Sequence, residues 1–511
     1  MAMDVDAERW SPKPLAVVAV RLAPWLVLAV LFVVAVALRH LLPANTDVSW
    51  LLTVAERVLD GQRLYVDVIE TNPPMAVLIY TPGVVIARAI GMPAEMVTDG
   101  LVFVAIFASL GIAAWILRDF PLPNGLSGWL LAWLAFVILA VLPTKVFGQR
   151  EHIAVVELLP ALALYAVRMK GLTPLWPAVM AAGIGAGLAL SFKPHFAIGI
   201  VCGLAALSIH ARSWRILLGP ENFVAAAIVG AYALGIIAFY PEFLSVIAPL
   251  LRDVYIMVGS SALEMISAPA IPIWAALVFS ALVLKRTGRI DGTLLLLLAT
   301  SFGFAVAFLL QRKGWPYHSY PMIAFAMLGL GYALVMRRPF DRALGTFAAA
   351  TLVIAFVQSV LWFNWSFDKA FDARPLWTAV ARLGPHPKIL AITAEPGLGI
   401  PLTRALEGTW VSRQQGLWVA AYLRSMRSKP GLSARQNAAL DQHAARERAM
   451  LIEDIARNAP TVVLVDNFSD DWSLWLRENP DVANLLGDYR LVATVNDIEI
   501  RAKPPLVSQP E

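Results

Sequence analysis

Residues 17–38 read VVAVRLAPWLVLAVLFVVAVAL, an apolar run that contains a single charge, Arg21. About 20 apolar residues are enough for one helix to cross a bilayer. Eleven further apolar runs follow, at 75–91, 98–117, 127–144, 152–168, 175–192, 195–209, 222–240, 268–285, 292–311, 318–336 and 342–362. The sequence therefore predicts an α-helical polytopic membrane protein.

The composition supports this class and excludes others. Of the 511 residues, 59% are hydrophobic and 15% are charged, with a mean hydropathy of +0.67. Soluble domains have about 25% charged residues, so a soluble enzyme, a disordered chain and a coiled coil are excluded. The net charge of +5 is typical of Lys and Arg in cytoplasmic loops and does not indicate nucleic-acid binding. The single cysteine, Cys202, excludes an intramolecular disulfide and a cysteine-based metal cluster.

The last part of the chain has a different pattern. It contains strand-like runs and a polar helical stretch, which are typical of a small α/β domain. The strand-like runs are Lys388 to Thr393, Thr461 to Val465 and the alternating stretch Tyr489 to Ile500, and the helical stretch is Ser433 to Asn458. We therefore divide the chain into a transmembrane core, residues 1–362, and a C-terminal soluble domain, residues 363–511.

Basic residues predict the orientation of the core. The loops rich in Lys and Arg run from Arg168 to Lys170, His210 to Arg215, Lys285 to Arg289 and Arg337 to Arg342, and short basic loops lie in the cytoplasm. The N-terminus is then inside, and the first outer loop is 39–74. Loops 145–152, 241–266 and 311–318 and the C-terminal domain are outside as well. We expect a bacterial inner-membrane protein whose C-terminal domain is periplasmic.

One conflict follows from this orientation. Three apolar segments lie between Pro74 and Glu151, yet both residues should be outside. Either one of these segments is re-entrant or interfacial, or one end is wrongly assigned. The sequence therefore predicts about 11–12 membrane segments.

The first outer loop contains two candidate acidic residues. Apolar residues at helical spacing from Leu51 to Leu59 predict a short helix at the membrane surface, and Asp47 lies just before it. Asp47 can cap this helix, and it can also act as a general base; the two roles are compatible. Glu70 is either a surface charge or part of a membrane cavity. Pro73 and Pro74 then lead into the next apolar run.

Polar residues at three other membrane boundaries are further candidates. Arg150, Glu151 and His152 open an apolar run, where ionisable groups are costly unless they face a cavity. Lys193 and His195 interrupt two apolar runs, either as a tight turn or as a site for an anionic lipid phosphate. The segment Gln311 to Pro321 contains two outer cations that suit phosphate, together with His and Tyr donors. Its candidates are Arg312, Lys313, Tyr317, His318 and Tyr320, and its alternative role is an aromatic membrane anchor.

Several common motifs are absent. The sequence has no Walker A run, no dinucleotide-binding glycine fingerprint and no HExxH. No cluster has the spacing of metal ligands, so we expect no cofactor, although carboxylates can still hold a divalent cation weakly.

The order of these features resembles the GT-C glycosyltransferases of the protein-mannosyltransferase and aminoarabinose-transferase type. The resemblance covers about residues 17–336. It comprises Asp47 soon after the first span, the proline pair, Glu151 opening a later span, Lys193 after a Gly/Ala-rich helix, and the basic-aromatic segment from Arg312 to Pro321. Glu151 stands where many members have Asp, and Lys193 opens Lys-Pro-His in place of the frequent Lys-Gly-Pro. These departures leave the subfamily and the acceptor open.

The resemblance implies a helical core with an outward catalytic cavity and inverting transfer of a hexosyl or pentosyl group from a polyprenyl-phosphate sugar, as in mannosyltransferase-like enzymes of the cell envelope. The acceptor is a lipid, a glycan or a protein. Cations would stabilise the leaving phosphate, namely Arg312, Lys313, His318 and Lys193. Asp47 would be the base, and Glu151 or Glu70 would position a substrate. A transporter or flippase of a lipid-linked sugar is the main alternative, and a polysaccharide polymerase or ligase is another.

Overall fold

The structure is a computed structural model that describes residues 14–42, 45–123, 125–285, 290–337, 342–364, 373–427 and 432–503. Part of two predicted basic loops lies outside these ranges, namely Arg286, Arg289 and Arg338. Residues 1–13 and the two ends of the predicted C-terminal domain, 365–372 and 504–511, also lie outside them.

The core is built almost entirely from helices. Its α-helices are α1 (Pro14–Leu41), α2 (Thr46–Leu59), α3 (Met75–Leu78), α4 (Thr81–Ile90), α5 (Ala94–Ile116), α6 (Gly125–Phe136), α7 (Arg150–Met169), α8 (Trp176–Phe192), α9 (Phe196–Ala211), α10 (Pro220–Phe239), α11 (Ala248–Leu250), α12 (Ala262–Ser267), α13 (Ala270–Leu284), α14 (Gly292–Gln311), α15 (Tyr320–Val335) and α16 (Arg342–Asn364). Wider π-helical turns extend α6 to Val141 and flank α11 at Phe243–Ile247 and Leu251–Tyr255.

The helices confirm a polytopic membrane protein. Within the described residues, seven helices are long and apolar enough to cross a membrane, and five shorter apolar helices accompany them. α7, α14 and α15 form the centre of the bundle, since their side chains are mostly buried against other helices. α1 and α10 expose apolar side chains around most of their surface, as a helix facing lipid does.

The segment Met75–Ile90 explains the conflict in the predicted span count. It is broken into α3, of 4 residues, and α4, of 10 residues. Ten helical residues rise about 15 Å, which is half the thickness of the hydrocarbon core. At the end of α4, Arg88 donates to Asp60 in loop 39–74 over 2.8 Å. The segment therefore returns to the end of the bundle from which it starts.

The next residues agree with this assignment. Glu95, at the start of α5, forms an ion pair with Arg404 of the C-terminal domain. Arg404 also donates to both carboxylate oxygens of Glu56 on α2, over 2.7 and 2.8 Å. α2, the start of α5 and the C-terminal domain thus lie together, so α5 and α6 alone cross between Pro74 and Glu151. The predicted interfacial segment is 75–90.

The predicted basic loops meet at the opposite end of the bundle. Arg168, at the end of α7, pairs with Glu221 at the start of α10 over 2.8 Å. Lys285 donates to the carbonyl oxygen of Met336 over 3.2 Å. Since the candidate site residues occupy the other ends of these helices, the basic loops and the candidate site are on opposite sides of the core.

The C-terminal domain is a small α/β unit, as predicted. Its strands are β1 (Lys388–Ile392), β2 (Thr409–Trp410), β3 (Val462–Asp466), β4 (Arg490–Val495) and β5 (Ile498–Ala502), and its helices are α17 (Ala373–Ala381), α18 (Pro396–Ala405), α19 (Trp418–Arg427), α20 (Ala434–Asn458), α21 (Trp472–Glu478) and α22 (Pro480–Leu485). The sheet order is β2-β1-β3-β5-β4, with β2, β1 and β3 parallel and the last two strands antiparallel.

One predicted strand is two strands in the structure. The stretch Tyr489 to Ile500 turns back on itself at Asn496 and Asp497, whose φ angles are 48° and 60°. Two consecutive left-handed residues make the tight turn that joins antiparallel strands, and Asn and Asp accept this backbone conformation better than most residues. The alternating pattern continues through the turn, so periodicity alone did not reveal the hairpin.

Candidate active site

The helix that carries Asp47 begins at Thr46, before the predicted start at Leu51. α2 starts at Thr46, and its N-cap is Asn45, whose side-chain oxygen accepts from the Val48 backbone N–H over 3.1 Å. Asp47 lies within the first turn and does not cap the helix. The capping role proposed for Asp47 is therefore wrong, because Asn45 already fills it. A carboxylate in the first turn is still stabilised by the positive end of the helix dipole.

Asn45 also connects α2 to the loop before α7. Its side-chain amide donates to the carbonyl oxygen of Lys145 over 2.5 Å, and its side-chain oxygen accepts from Gln149 over 3.0 Å. Asn45 and Gln149 are 104 residues apart in sequence. These bonds fix the start of α2 against the start of α7 and so place Asp47 next to Arg150.

Asp47 and Arg150 form an ion pair in which Arg150 Nη2 lies 3.5 Å from Asp47 Oδ2. The Asp47 side chain is 28% exposed, whereas that of Arg150 is 4% exposed. Within the described residues, Arg150 Nε and Nη1 are buried without a hydrogen-bond partner. A buried guanidinium with two unused N–H groups is costly unless a ligand supplies acceptors.

Glu151 lies at the centre of a second group of charges. Lys193 Nζ donates to Glu151 Oε1 over 2.6 Å, and His318 Nε2 lies 3.6 Å from the same oxygen. The distance from Lys193 Nζ to His318 Nε2 is 3.5 Å. Among the described residues, Glu151 Oε2 and His318 Nδ1 are buried without partners. Three separate regions of the sequence thus meet at one place.

The sequence of α8 explains how Lys193 reaches Glu151. At Gly185, a Cβ atom would collide with the carbonyl oxygen of Glu157 on α7, so the close approach of the two helices requires glycine. α8 ends at Phe192, and Pro194 prevents a regular continuation. Lys193 therefore lies at the end of a helix that packs tightly on the helix of Glu151.

Glu70 is buried, but its carboxylate is already bound within loop 39–74. It accepts from Trp50 Nε1 over 2.5 Å and from the backbone N–H of Asn72 over 2.7 Å. Trp50 lies one turn after Asp47 on α2. Glu70 therefore holds the end of the loop against this helix, and direct substrate binding by Glu70 stays a prediction.

Two predicted binding residues have their polar atoms bound to the backbone. His152 Nδ1 accepts from the Gly148 N–H over 3.0 Å, and Nε2 contacts the Leu139 carbonyl oxygen at 2.6 Å. The Tyr320 hydroxyl donates to the carbonyl oxygen of Ile138 over 2.8 Å. These contacts fix the turn before α7 and the start of α15, so a substrate would have to break them to bind here.

The other aromatic candidates surround Lys193. The ring of Tyr317 lies 5.5 Å from Lys193 Nζ and 4.4 Å from the ring of His318. His195 packs edge-on against Phe196, and its Nε2 is buried without a partner in the described part of the chain.

Arg312 and Lys313 lie at the same end of the bundle but have other contacts. Arg312 is exposed, and its Nε donates to the Ser260 carbonyl oxygen over 2.9 Å. Lys313 Nζ donates to the carbonyl oxygens of Tyr255, over 2.6 Å, and of Val258. Phosphate binding by Lys313 would therefore compete with two backbone hydrogen bonds.

Sequence reasoning missed Asn45, Gln149 and the aromatic partners of Lys313. Asn45 carried a usable signal, because Asn followed two residues later by Asp is a common helix start. Tyr255 and Tyr422 carried none, because their role depends on contacts between distant segments. Within the described residues, no three His, Cys, Asp or Glu side chains are grouped to hold a metal ion.

Asp47 has the electrostatics of a potential base. Burial raises the pKa of its carboxyl, and the nearby cations Arg150 and Lys193 oppose this change. The site as a whole offers one partly exposed carboxylate, unpaired guanidinium N–H groups and a buried Lys–Glu pair. This combination suits an anionic substrate that is attacked by a group losing a proton.

The predicted resemblance is confirmed at the level of the fold by comparison with solved structures. Two solved structures of ArnT from Cupriavidus metallidurans match the chain along its length. The structure bound to undecaprenyl phosphate has a TM-score of 0.58 and 13% identity and covers 98% of this chain. The apo structure has a TM-score of 0.60 and 14% identity and covers 97%. Both ArnT chains are covered completely.

No family model and no curated protein sequence matches the chain. The similarity therefore lies in the three-dimensional fold.

Proposed function

We propose that the protein is an inverting glycosyltransferase that transfers a sugar from a polyprenyl-phosphate donor to an acceptor at the outer face of a bacterial inner membrane. The observation that carries this proposal is the pairing of a partly exposed carboxylate, Asp47, with a buried guanidinium, Arg150, two of whose nitrogens find no partner in the described part of the chain. The similar ArnT structure bound to undecaprenyl phosphate supports the class of donor.

The reaction exchanges one bond for another at the anomeric carbon. An acceptor hydroxyl or amine forms the new bond to this carbon, while the bond to the phosphate oxygen breaks. Asp47 takes the acceptor proton, and the polyprenyl phosphate leaves with the electron pair. The acceptor atom attacks the face of the anomeric carbon opposite the departing phosphate oxygen, which inverts the anomeric configuration.

The cations at the site stabilise the departing phosphate. We assign this role first to Arg150, because its Nε and Nη1 are unused among the described residues, and second to Lys193. Negative charge develops on the phosphate as it leaves, so preorganised donors lower the barrier. Glu151 holds Lys193 in place through its short contact and is a positioning group in this scheme.

Other predicted groups keep lesser roles. Three of them are candidates for contact with the donor sugar or with the monophosphate of the donor. They are the exposed residue Arg312 and the residues Tyr317 and His195. The scheme needs no cofactor. The acceptor is a lipid, a glycan or a protein, and the residues of the site do not separate these classes.

The outer location is tested by labelling. With Cys202 replaced by Ala, single cysteines are introduced near residues 60, 314 and 470. We expect all three to react with an impermeant reagent in intact spheroplasts. Protection of the cysteine near 470 before lysis would contradict the orientation.

The activity is tested with the purified full-length chain in detergent or nanodiscs. It is given undecaprenyl phosphate carrying mannose, aminoarabinose or another sugar, together with candidate acceptors. We expect release of undecaprenyl phosphate and a glycosylated acceptor with inverted configuration. Movement of a labelled lipid-linked sugar across vesicles without any transfer would instead support a flippase.

A further inference from the structure

The segment 312–313 is bound to the segment 255–260 by several backbone contacts. Lys313 donates to two carbonyl oxygens of that segment, Arg312 Nε donates to Ser260 O, and the Ser260 N–H donates to Arg312 O over 2.6 Å. Arg312 has a φ angle of 52°, in the left-handed region. A non-glycine residue in this conformation is strained and persists where surrounding contacts hold it.

Aromatic rings from two domains surround the ammonium group of Lys313. Its Nζ lies 3.8 Å from the ring centre of Tyr255 in the core and 5.2 Å from that of Tyr422 in the C-terminal domain. The two rings are stacked with their centres 6.3 Å apart. A cation over an aromatic face is attracted by the negative charge of that face, and the attraction is larger where water is excluded.

α19, the helix that carries Tyr422, places a second ring near Tyr255. The ring of Trp418 lies 6.4 Å from the ring of Tyr255 and 5.6 Å from that of Tyr422. Further along the domain, His443 Nε2 lies 3.3 Å from Oδ2 of Asp253, which belongs to the same short segment as Tyr255. The segment Leu251–Tyr255 is therefore one part of the core that contacts the C-terminal domain, in addition to α2 and the start of α5.

A row of rings connects Lys313 to the candidate site. The ring of Trp315 lies 6.4 Å from that of Tyr255 and 5.3 Å from that of His318. Tyr317 lies between Trp315 and Lys193, 5.7 Å from the Trp315 ring. The backbone from 313 to 318 thus runs from the Lys313 contact to His318 through residues that are half-buried or buried.

We propose that Lys313 is a positioning residue that fastens the C-terminal domain, through Tyr422 and Tyr255, to the segment that holds His318 beside Glu151 and Lys193. The C-terminal domain is then a working part of the active site. This inference rests on the proposed function for its kinetic consequences, while its structural part is independent of the reaction.

The competing role for Lys313 is a direct phosphate ligand, as its charge and outer location suggest. The two roles predict different kinetics. A phosphate ligand contributes to donor binding, so its loss raises the donor KM. A positioning residue keeps His318 and Lys193 in place for the chemical step, so its loss lowers kcat, and the loss of its aromatic partner has the same effect.

The experiment is a double-mutant cycle on Lys313→Met and Tyr422→Leu in the full-length chain. We expect each single variant to lower kcat about threefold to thirtyfold, the range of a partly desolvated cation–π contact. The double variant should be no slower than the slower single variant, because both changes remove one contact. Lys313→Arg and Tyr422→Phe, which keep the cation and the ring, should stay within about twofold of the wild type.

Lys170→Met is the matched control. Lys170 Nζ lies 5.6 Å from the Phe120 ring at the other end of the bundle, so this variant removes a similar pair away from the site. It should leave kcat unchanged. A rise in donor KM for Lys313→Met, with no effect of Tyr422→Leu, would overturn the proposal and establish Lys313 as a phosphate ligand. Effects that multiply in the double variant would overturn it as well.

Hydrogen–deuterium exchange gives a readout that needs no substrate. Lys313→Met should raise amide exchange in α19 and in Leu251–Tyr255, and Lys313→Arg should restore protection. Unchanged exchange in Lys313→Met would contradict the proposed fastening even if the wild type shows no transfer activity. Absent transfer with the expected exchange pattern would contradict the proposed function alone.

Discussion

Two pairs of cations lie at the same end of the bundle, yet they have opposite surroundings. Arg150 and Lys193 are buried beside carboxylates, and Arg150 keeps two N–H groups without partners among the described residues. Arg312 and Lys313 are more exposed, and they donate to backbone carbonyl oxygens. Whether a cation is available to a ligand therefore depends on the partners that the fold supplies to it. Dense charge in a short stretch of sequence is a weaker guide.

The largest expected effect concerns Asp47, the carboxylate that is paired with Arg150. Asp47→Asn should lower kcat by about 10²–10⁴ while donor binding persists, because Asn cannot accept the proton. Asn45 remains the helix cap, so α2 should stay folded. Steady-state kinetics and binding of undecaprenyl phosphate check this. Activity within a few-fold of the wild type would transfer the role of base to Glu151 or Glu70.

The pH dependence of the same variant sharpens the test. Because burial raises the pKa of Asp47, its carboxyl group stays protonated to a higher pH than that of an ordinary aspartate. The wild-type rate should therefore fall on the acid side at a higher pH than an exposed aspartate would produce. The residual rate of Asp47→Asn should lack this acid limb.

The second effect compares the two arginines directly. Arg150→Met should weaken binding of undecaprenyl phosphate about tenfold to a hundredfold, since charge-assisted hydrogen bonds contribute about 1.5–3 kcal/mol. Arg312→Met should have a smaller effect, because its Nε is bound to Ser260. Calorimetry on folded, purified variants checks both. Equal losses would remove the distinction between the two pairs.

The third effect concerns the contact between α2 and the C-terminal domain. Arg404→Leu should lower the free energy of unfolding by about 1.5–3 kcal/mol, because charge-assisted bonds to Glu56 and Glu95 are lost in a half-buried place. Thermal denaturation measures the change. Arg448→Leu removes an exposed pair with Asp481 and should cost about 0–1 kcal/mol. Similar losses in both would show that the Arg404 contact is an ordinary surface pair.

The smallest expected effect is a fall in kcat at alkaline pH that depends on Lys313. Burial lowers the pKa of Lys313 to about 8, and the neighbouring Arg312 adds to this. A lysine is charged below its pKa, so the contact with the rings of Tyr255 and Tyr422 is lost as pH rises through about 8. The wild-type kcat should drop a few-fold between pH 7 and 9. Lys313→Arg should not show this drop, since its guanidinium stays charged.

The architecture can be predicted well from the sequence because each helix or strand depends mainly on the residues within it. Twenty apolar residues are enough to identify a span, and Ser433 starts its helix with a capping box that is complete in the structure. The segment 75–90 was ambiguous because it has the composition of a membrane span. In the structure, however, the helix is interrupted at Ile79 and Tyr80, and neither part is long enough to cross a membrane.

The site was predictable only in part, for a physical reason. Asp47, Glu151 and Lys193 could be selected because charges at membrane boundaries are costly. Which of them pair depends on helix packing, such as the close approach at Gly185, and sequence spacing does not record it. The roles of the individual site residues stay predictions until the variants are measured.

The distances in sequence between the partners of the site have a consequence for biosynthesis. Glu151 and Lys193 are 42 residues apart, and Lys193 and His318 are 125 residues apart. While the chain is being made, Glu151 enters the membrane boundary well before either partner has been synthesised. Contacts between distant residues form late, because the intervening loop must be closed first. Glu151 therefore has no Lys193 partner until α8 has been made, and the pair has no His318 neighbour until the start of α15 follows. A chain that terminates before α15 should leave a species that quality control degrades.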